Sequence, residues 1–312
     1  MKREPKCVPG RERRRNAVIR RTNNRTHCFN QFDHLQCAKM RLIALILSVS
    51  IILVSSLSTF ASGADGSYGA KPRNITEYLD RLVSYYSNTI SGYDNEFLIL
   101  KNGIKFRISD NRTDKTFQEL LEKPDIDDMF YARYPMGTVP KQPEKNIDPG
   151  RVRFEPLFVA MYGDCNKHEV VKNLRTIRWL PKHGGGSLAI TNVNGVDKAL
   201  EAVSSDLDEL DASYIKYLKP TSGTYNCRKI AGSSAKSMHA YGAAVDINTK
   251  YANYWRWAIN GRGEQKWQNQ IPIQIVRIFE KHGFIWGGYW YHYDTMHFEY
   301  RPELLLSKGS PG

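Results

Sequence analysis

From Asn74 onward the apolar positions fall into short helical and alternating runs separated by turn residues. Leu79, Leu82, Val83 and Tyr86 recur at helical spacing behind Asn74-Ile-Thr-Glu77, an Asn cap with Glu three residues on, and predict a helix. Phe97 to Ile108 predicts a hairpin turning at Asn102-Gly103, and Thr116 to Glu122 a short helix. Pro124 to Pro149, rich in Pro, Asp and Tyr, reads as an ordered wrapping segment without long regular elements. Arg151 to Met161 reads as a strand, and Val170 to Trp179 fits strand or helix. Gly184 to Gly186 is a turn, Ser187 to Thr191 a short strand, and Asn194-Gly195 a second turn. Val196 to Leu218 predicts one long helix, with Leu200, Val203, Leu207 and Leu210 near one face and Pro220 as its stop. Pro272 opens another helix that ends at Gly283; Phe284 to Gly288 and Met296 to Tyr300 then read as strand, turn, strand. The expected fold is α+β, a small, mainly antiparallel sheet flanked by helices.

Ahead of this body lies a different kind of sequence. Residues 40–64 begin Met-Arg, continue with an apolar run from Leu42 to Val54, and leave through Ser62-Gly63-Ala64. That is the pattern of a secretory signal; a retained membrane anchor is the alternative, if the serines are counted into the span. Either way the body is expected outside the cytoplasm, in the periplasm or extracellular space, with membrane contact only through 40–64. Residues 1–39 hold 11 Lys/Arg against 3 Asp/Glu, so most of the net charge of +13 precedes the apolar run. This segment reads as upstream of a true start at Met40, or as a disordered basic tail. Nucleic-acid binding would need it to be present, and the mildly basic remainder gives no such expectation. Residues 65–150 form an N-terminal extension packing on the core, and 151–312 the domain that carries the chemistry.

Three of the five cysteines, Cys7, Cys28 and Cys37, precede the apolar run. The two after it, Cys165 and Cys227, are an even number suited to one disulfide in an oxidising compartment, or else two buried thiols. Cys227 lies twelve residues before His239, so a bridge would brace the surroundings of that histidine.

The chemistry concentrates in two stretches. Ser237-Met-His-Ala-Tyr-Gly-Ala-Ala-Val-Asp-Ile-Asn248 offers His239 and Asp246 among small residues, and Asp294-Thr-Met-His-Phe-Glu299 offers a second acid–histidine cluster. Side chains alternate along a strand, so Ala244, Asp246 and Asn248 share a face, as do His297 and Glu299. Two short strands side by side would present His239, Asp246 and His297 to one ion. Two histidines and one aspartate leave the fourth position of a tetrahedral zinc open, as a catalytic site requires. An aspartate buried unpaired in such a strand would otherwise be costly.

Ser-x-His-x-x-Gly-x-Ala-x-Asp followed by Asp-x-x-His resembles the zinc D-Ala-D-Ala peptidases, a family that includes vancomycin-resistance dipeptidases and carboxypeptidases and phage L-alanyl-D-glutamate endolysins, within the wider lysostaphin, D-Ala-D-Ala peptidase and hedgehog superfamily. The match is tight from about Thr224 to Arg301 and looser back to about Phe158. The resemblance implies Zn2+ held by His239, Asp246 and His297. It also implies Asp294 as the general base, with Glu299 as the alternative on the ligand face, and Arg228 as the substrate-contacting arginine. Ser237 and Tyr241 would stand near the ligands or substrate. Trp286, with Trp290 and Tyr291, would floor a groove or else belong to the core. The activity implied is hydrolysis of a peptide bond in peptidoglycan stem peptides by a metal-activated water, as a D,D-carboxypeptidase, D,D-endopeptidase or L-Ala-D-Glu endopeptidase. The alternative is a catalytically silent zinc-containing module that binds the cell wall.

Overall fold

The computed structural model describes residues 67–230, 233–259 and 265–306. The basic segment 1–39, the apolar segment 40–64 and their three cysteines lie outside the described residues. All described residues fall in one compact unit, from Gly63 onward. Among them no helix is long and apolar enough to cross a membrane.

Helix α1 (Ile75–Tyr85) buries Ile75, Tyr78, Leu79 and Leu82, the i, i+3, i+4, i+7 stripe of a one-sided helix. Asn74 stands at its N-cap but makes no side-chain capping bond. Strands β1 (Ile90–Tyr93), β2 (Phe97–Leu100) and β3 (Lys105–Arg107) form an antiparallel sheet. The β2–β3 turn closes with Leu100 N–H donating to the Ile104 carbonyl, and Gly103 takes the positive φ of 84°. Helix α2 (Phe117–Glu122) starts with a full capping box between Thr116 and Glu119.

Arg151 to Met161 is not a strand. Its second half is helix α3 (Glu155–Tyr162), which buries Leu157, Phe158, Met161 and Tyr162 on one side. Arg151 to Glu155 alternates polar and apolar, but from Pro156 to Tyr162 the chain is apolar throughout, so neither the period of 2 nor that of 3.6 stands out there, and Pro156 near the helix start tips the balance. Val170 to Trp179 resolves into a 3-10 turn and strand β4 (Leu174–Arg178), paired along its whole length with β5 (Ser187–Thr191). The long helix expected from Val196 to Leu218 is two: α4 (Val196–Asp208) and the short α5 (Ile215–Leu218). Between them Asp211 accepts from the Ser213 N–H and caps a new turn, competing with continuation of α4.

The last sheet carries the chemistry. Strand β6 (Ala244–Asp246) pairs with β8 (His297–Tyr300), and β8 with β7 (Phe284–Trp286), all antiparallel. Helix α6 (Ile273–Lys281) covers one face, where Phe279 stacks on Phe298 with ring centroids 3.8 Å apart. One apolar core runs from Ile75 to Leu306. Residues 67–150 are sewn to the end of the chain by polar bonds as well. The Arg81 guanidinium donates to the carbonyls of Pro302, Glu303 and Leu305, and the Tyr86 hydroxyl donates to Glu303 at 2.6 Å. The Tyr134 hydroxyl donates to Glu280 and accepts from the Trp286 N–H.

Cys165 and Cys227 are joined in a disulfide across 62 positions of sequence. Cys165 packs on Val170 and Ala240, so the bridge abuts the turn that holds His239. Replacing both cysteines with alanine is expected to lower unfolding free energy by about 4 kcal/mol on the chain-entropy account. Denaturant titration of the double variant measures this.

Candidate active site

His239 lies in a 3-10 turn, Met238–Tyr241, which Ser237 caps by accepting the His239 N–H. Gly242 ends the turn at a φ of 64°, where an added Cβ would lie 2.8 Å from the Leu174 side chain. Its carbonyl accepts the Thr191 N–H, so the β4–β5 ribbon is docked against the start of β6. A residue with a side chain at Gly242 would strain the backbone and push that ribbon away.

Antiparallel register sets Asp246 directly opposite His297. Three donor atoms then meet: His239 Nε2 and His297 Nδ1 are 3.2 Å apart, and Asp246 Oδ1 lies 3.1 Å from the first and 3.0 Å from the second. Both rings are oriented from behind. His239 Nδ1 lies 2.5 Å from the Thr224 carbonyl, which can only accept, so Nδ1 carries the proton and Nε2 is a bare lone pair. His297 Nε2 lies 3.0 Å from Glu299 Oε2, whose carboxylate accepts, so in the neutral ring the lone pair of His297 is on Nδ1. Three acceptors thus face one another at van der Waals distance or less, an arrangement that repels itself unless a positive charge sits among them.

Without an ion, protons supply that charge. Burial lowers His297, yet Asp246 and Glu299 at its two nitrogens outweigh that and raise it to about 10. Burial would raise Asp246, but bonds to His239 and His297 hold it far below the usual carboxylate range. A tetrahedral ion with bonds of about 2.0–2.1 Å has ligand atoms about 3.3 Å apart, close to the edges of this triangle. The three residues could therefore hold a metal ion, and the proton each histidine gives backward is the arrangement that orients imidazole ligands.

Glu299 is not placed as a base. Burial would raise it, but Arg153 and His297 hold it at about 2. Arg153 Nη1 stands 3.4 Å from both of its oxygens, and Arg301 adds a further contact. It acts on His297 from behind. Glu299→Gln is expected to weaken metal binding about 10- to 100-fold, measured by competition with a chromophoric chelator.

Asp294 sits in the turn before β8, its N–H donating to the Gly287 carbonyl and its own carbonyl accepting from the His297 N–H. It lines the same cleft of about 320 Å³ as Asp246 and His297. Burial, then the charge of Asp246, raises it to about 6, and its Oδ1 is buried without a partner. A carboxylate beside the donor triangle with a free oxygen is equipped to accept a proton at neutral pH.

Arg228 and Ser237 line the cleft too, tied together by the Ser237 N–H donating to the Arg228 carbonyl. Tyr241 and Trp286 do not line it. Tyr241 is buried with its ring against Phe158 and Tyr162. Trp286 is fully buried, its indole donating to the Thr295 carbonyl. Both are core residues. Trp290 does reach the cleft, with its ring 5.5 Å from that of His297, and Trp257 stands 63% exposed at the rim. Sequence reading missed Arg151 and Arg153, which line the cleft from the segment preceding α3. Their Arg-x-Arg spacing is visible, but nothing local says that it folds against a strand more than 140 residues later.

Two histidines and one carboxylate converging beside a further acid match the donor set of catalytic zinc sites. A family model described as D-alanyl-D-alanine carboxypeptidase matches residues 231–300, a stretch that contains His239, Asp246, Asp294 and His297. The match supports a peptidase of that family. No curated protein matches the chain, and no solved structure does.

Proposed function

We propose that the protein is an exported zinc peptidase that cuts a peptide bond in peptidoglycan stem peptides. The observation that carries this reading is the triangle of three converging ligand atoms, 3.0–3.2 Å apart, beside a carboxylate with one buried, free oxygen. His239, Asp246 and His297 hold the ion. Bound there, zinc supplies Lewis acidity and brings the pKa of a water toward 7.

The remaining work falls to the chain. Asp294 accepts the proton of the attacking water and passes it to the leaving amine. Arg228, exposed on the rim, and Arg151, over the Trp290 ring, offer positive charge to the attacked carbonyl or to a substrate carboxylate. Trp290 and Trp257 give the substrate an apolar wall. Export is supported by the apolar segment at 40–64 and by the disulfide, which suits an oxidising compartment.

Purified stem peptides and muropeptides, incubated with the protein and read by mass spectrometry, test the proposal. Loss of a terminal residue marks a carboxypeptidase, and fragments split within the stem mark an endopeptidase. Unchanged peptides with fully zinc-loaded protein would leave a wall-binding role in its place.

A further inference from the structure

A second group of acids stands apart from the peptidase site. Asp125, Asp127 and Asp128 lie at and before the 3-10 turn Asp127–Phe130, close to the loop of Asp110 and Lys115. One carboxylate oxygen from each of the three lies within 4.8 Å of the other two. Lys115 is 1% exposed, and its ammonium contacts Asp128 Oδ2 at 2.5 Å, Asp110 Oδ2 at 2.9 Å and Asp125 Oδ2 at 3.3 Å. One ammonium thus faces three carboxylates, and Asp127 stands beside them. Asp125 is further occupied by the N–H groups of Asp110 and Asp128, and Asp128 Oδ2 by the N–H of Asp125.

Two oxygens remain. Asp127 Oδ2 and Asp128 Oδ1 are buried with no donor to bond, on residues that are 1% and 2% exposed, while the Asp127 carboxyl also meets Ser109 and Asp125, and burial beside that acid raises it to about 8. Buried carboxylate oxygens without partners are rare and costly. The lysine takes one oxygen of Asp128 and leaves the other.

We propose that Asp125, Asp127 and Asp128 form a second cation site, which takes a hard divalent ion of the calcium class. All donors are oxygens, which selects calcium over zinc. An ion with bonds of 2.3–2.6 Å holds ligand atoms up to about 4.6–5.2 Å apart, and the three carboxylates, within 4.8 Å of one another, lie inside that reach. Asp110, 42% exposed at the side chain, leaves a way in from solvent. The ion would join the loop 109–115 to the turn 125–130, and so fix the wrapping segment that contacts the catalytic half through Tyr134. The site is independent of the zinc-binding residues and of the proposed reaction.

The test is thermal unfolding of the full zinc-loaded chain with and without about 5 mM calcium, together with calorimetric titration of calcium into the same protein. The wild type is expected to bind calcium with a dissociation constant of about 0.1–1 mM, typical of extracellular sites, and to gain about 3–6 °C in Tm. Asp127→Asn is expected to lose most of that gain, and His239→Ala to keep it. Asp128→Asn serves as the second variant if Asp127→Asn does not fold, and the wild-type titration needs no variant. Absence of calcium binding by the wild type overturns the proposal, and so does an unchanged gain in the Asp127→Asn or Asp128→Asn protein.

Discussion

Asp294→Asn is expected to bind zinc with near wild-type stoichiometry and to lose about 10²- to 10⁴-fold in kcat, the usual worth of a positioned general base. The amide keeps the shape of the carboxyl but cannot take a proton from water. Two observations set this expectation. Asp294 Oδ1 is buried without a partner, so its replacement breaks no hydrogen bond of that oxygen. Asp294 is also not one of the three residues whose donor atoms converge. The pH profile of the unaltered enzyme carries the same signature. Burial and Asp246 raise Asp294 to about 6, and only its ionised form accepts a proton, so kcat/KM falls as pH drops through that value. The positive charge of a bound ion moves this limb to lower pH, never to higher. Measurement of kcat against zinc content for both proteins checks the assignment. Full turnover by Asp294→Asn removes the residue from the role.

His239→Ala is expected to lose the metal and the activity together, with a fall in kcat/KM of more than about 10³-fold, or over 4 kcal/mol of transition-state stabilisation. The substitution removes one vertex of the triangle and also abandons the Thr224 carbonyl, which accepts from the ring. The remaining pair, Asp246 and His297, keep their mutual contact at 3.0 Å and can settle as a simple ion pair. The fold is expected to survive, because the disulfide, the Gly242 turn and the Asn226 N–H bond to the His239 carbonyl do not depend on the ring. Zinc content by atomic emission, alongside activity, separates metal loss from unfolding.

How much of the site was legible in the sequence depends on the range over which its signals act. Strand period put Asp246 on one face with Ala244, and His297 on one face with Glu299, because both stretches are short, local and flanked by small or turn residues. The hairpin at Phe97, the capping box at Thr116 and the strand at Ser187 are local signals of the same kind. Signals failed where local preference was even. The run from Glu155 to Tyr162 is apolar at nearly every position, so no period marks it as helix. Helix α4 ends at Asp208 because Asp211 caps a turn of its own, a competition that a count of apolar positions does not register. Aromatic residues could not be sorted: Trp286 and Trp290 are four apart, yet one is core and the other meets His297. Arg153 shows the limit best. Its contact with Glu299 spans 146 positions, and no feature of either segment names the other.

One divalent ion among three side chains carries the proposed function, and anomalous scattering recorded at the zinc edge from crystals of the purified protein examines it without reference to any substrate. The expected result is a single strong peak about 2 Å from His239 Nε2, Asp246 Oδ1 and His297 Nδ1. A zinc-replete crystal with no peak among those atoms would contradict it.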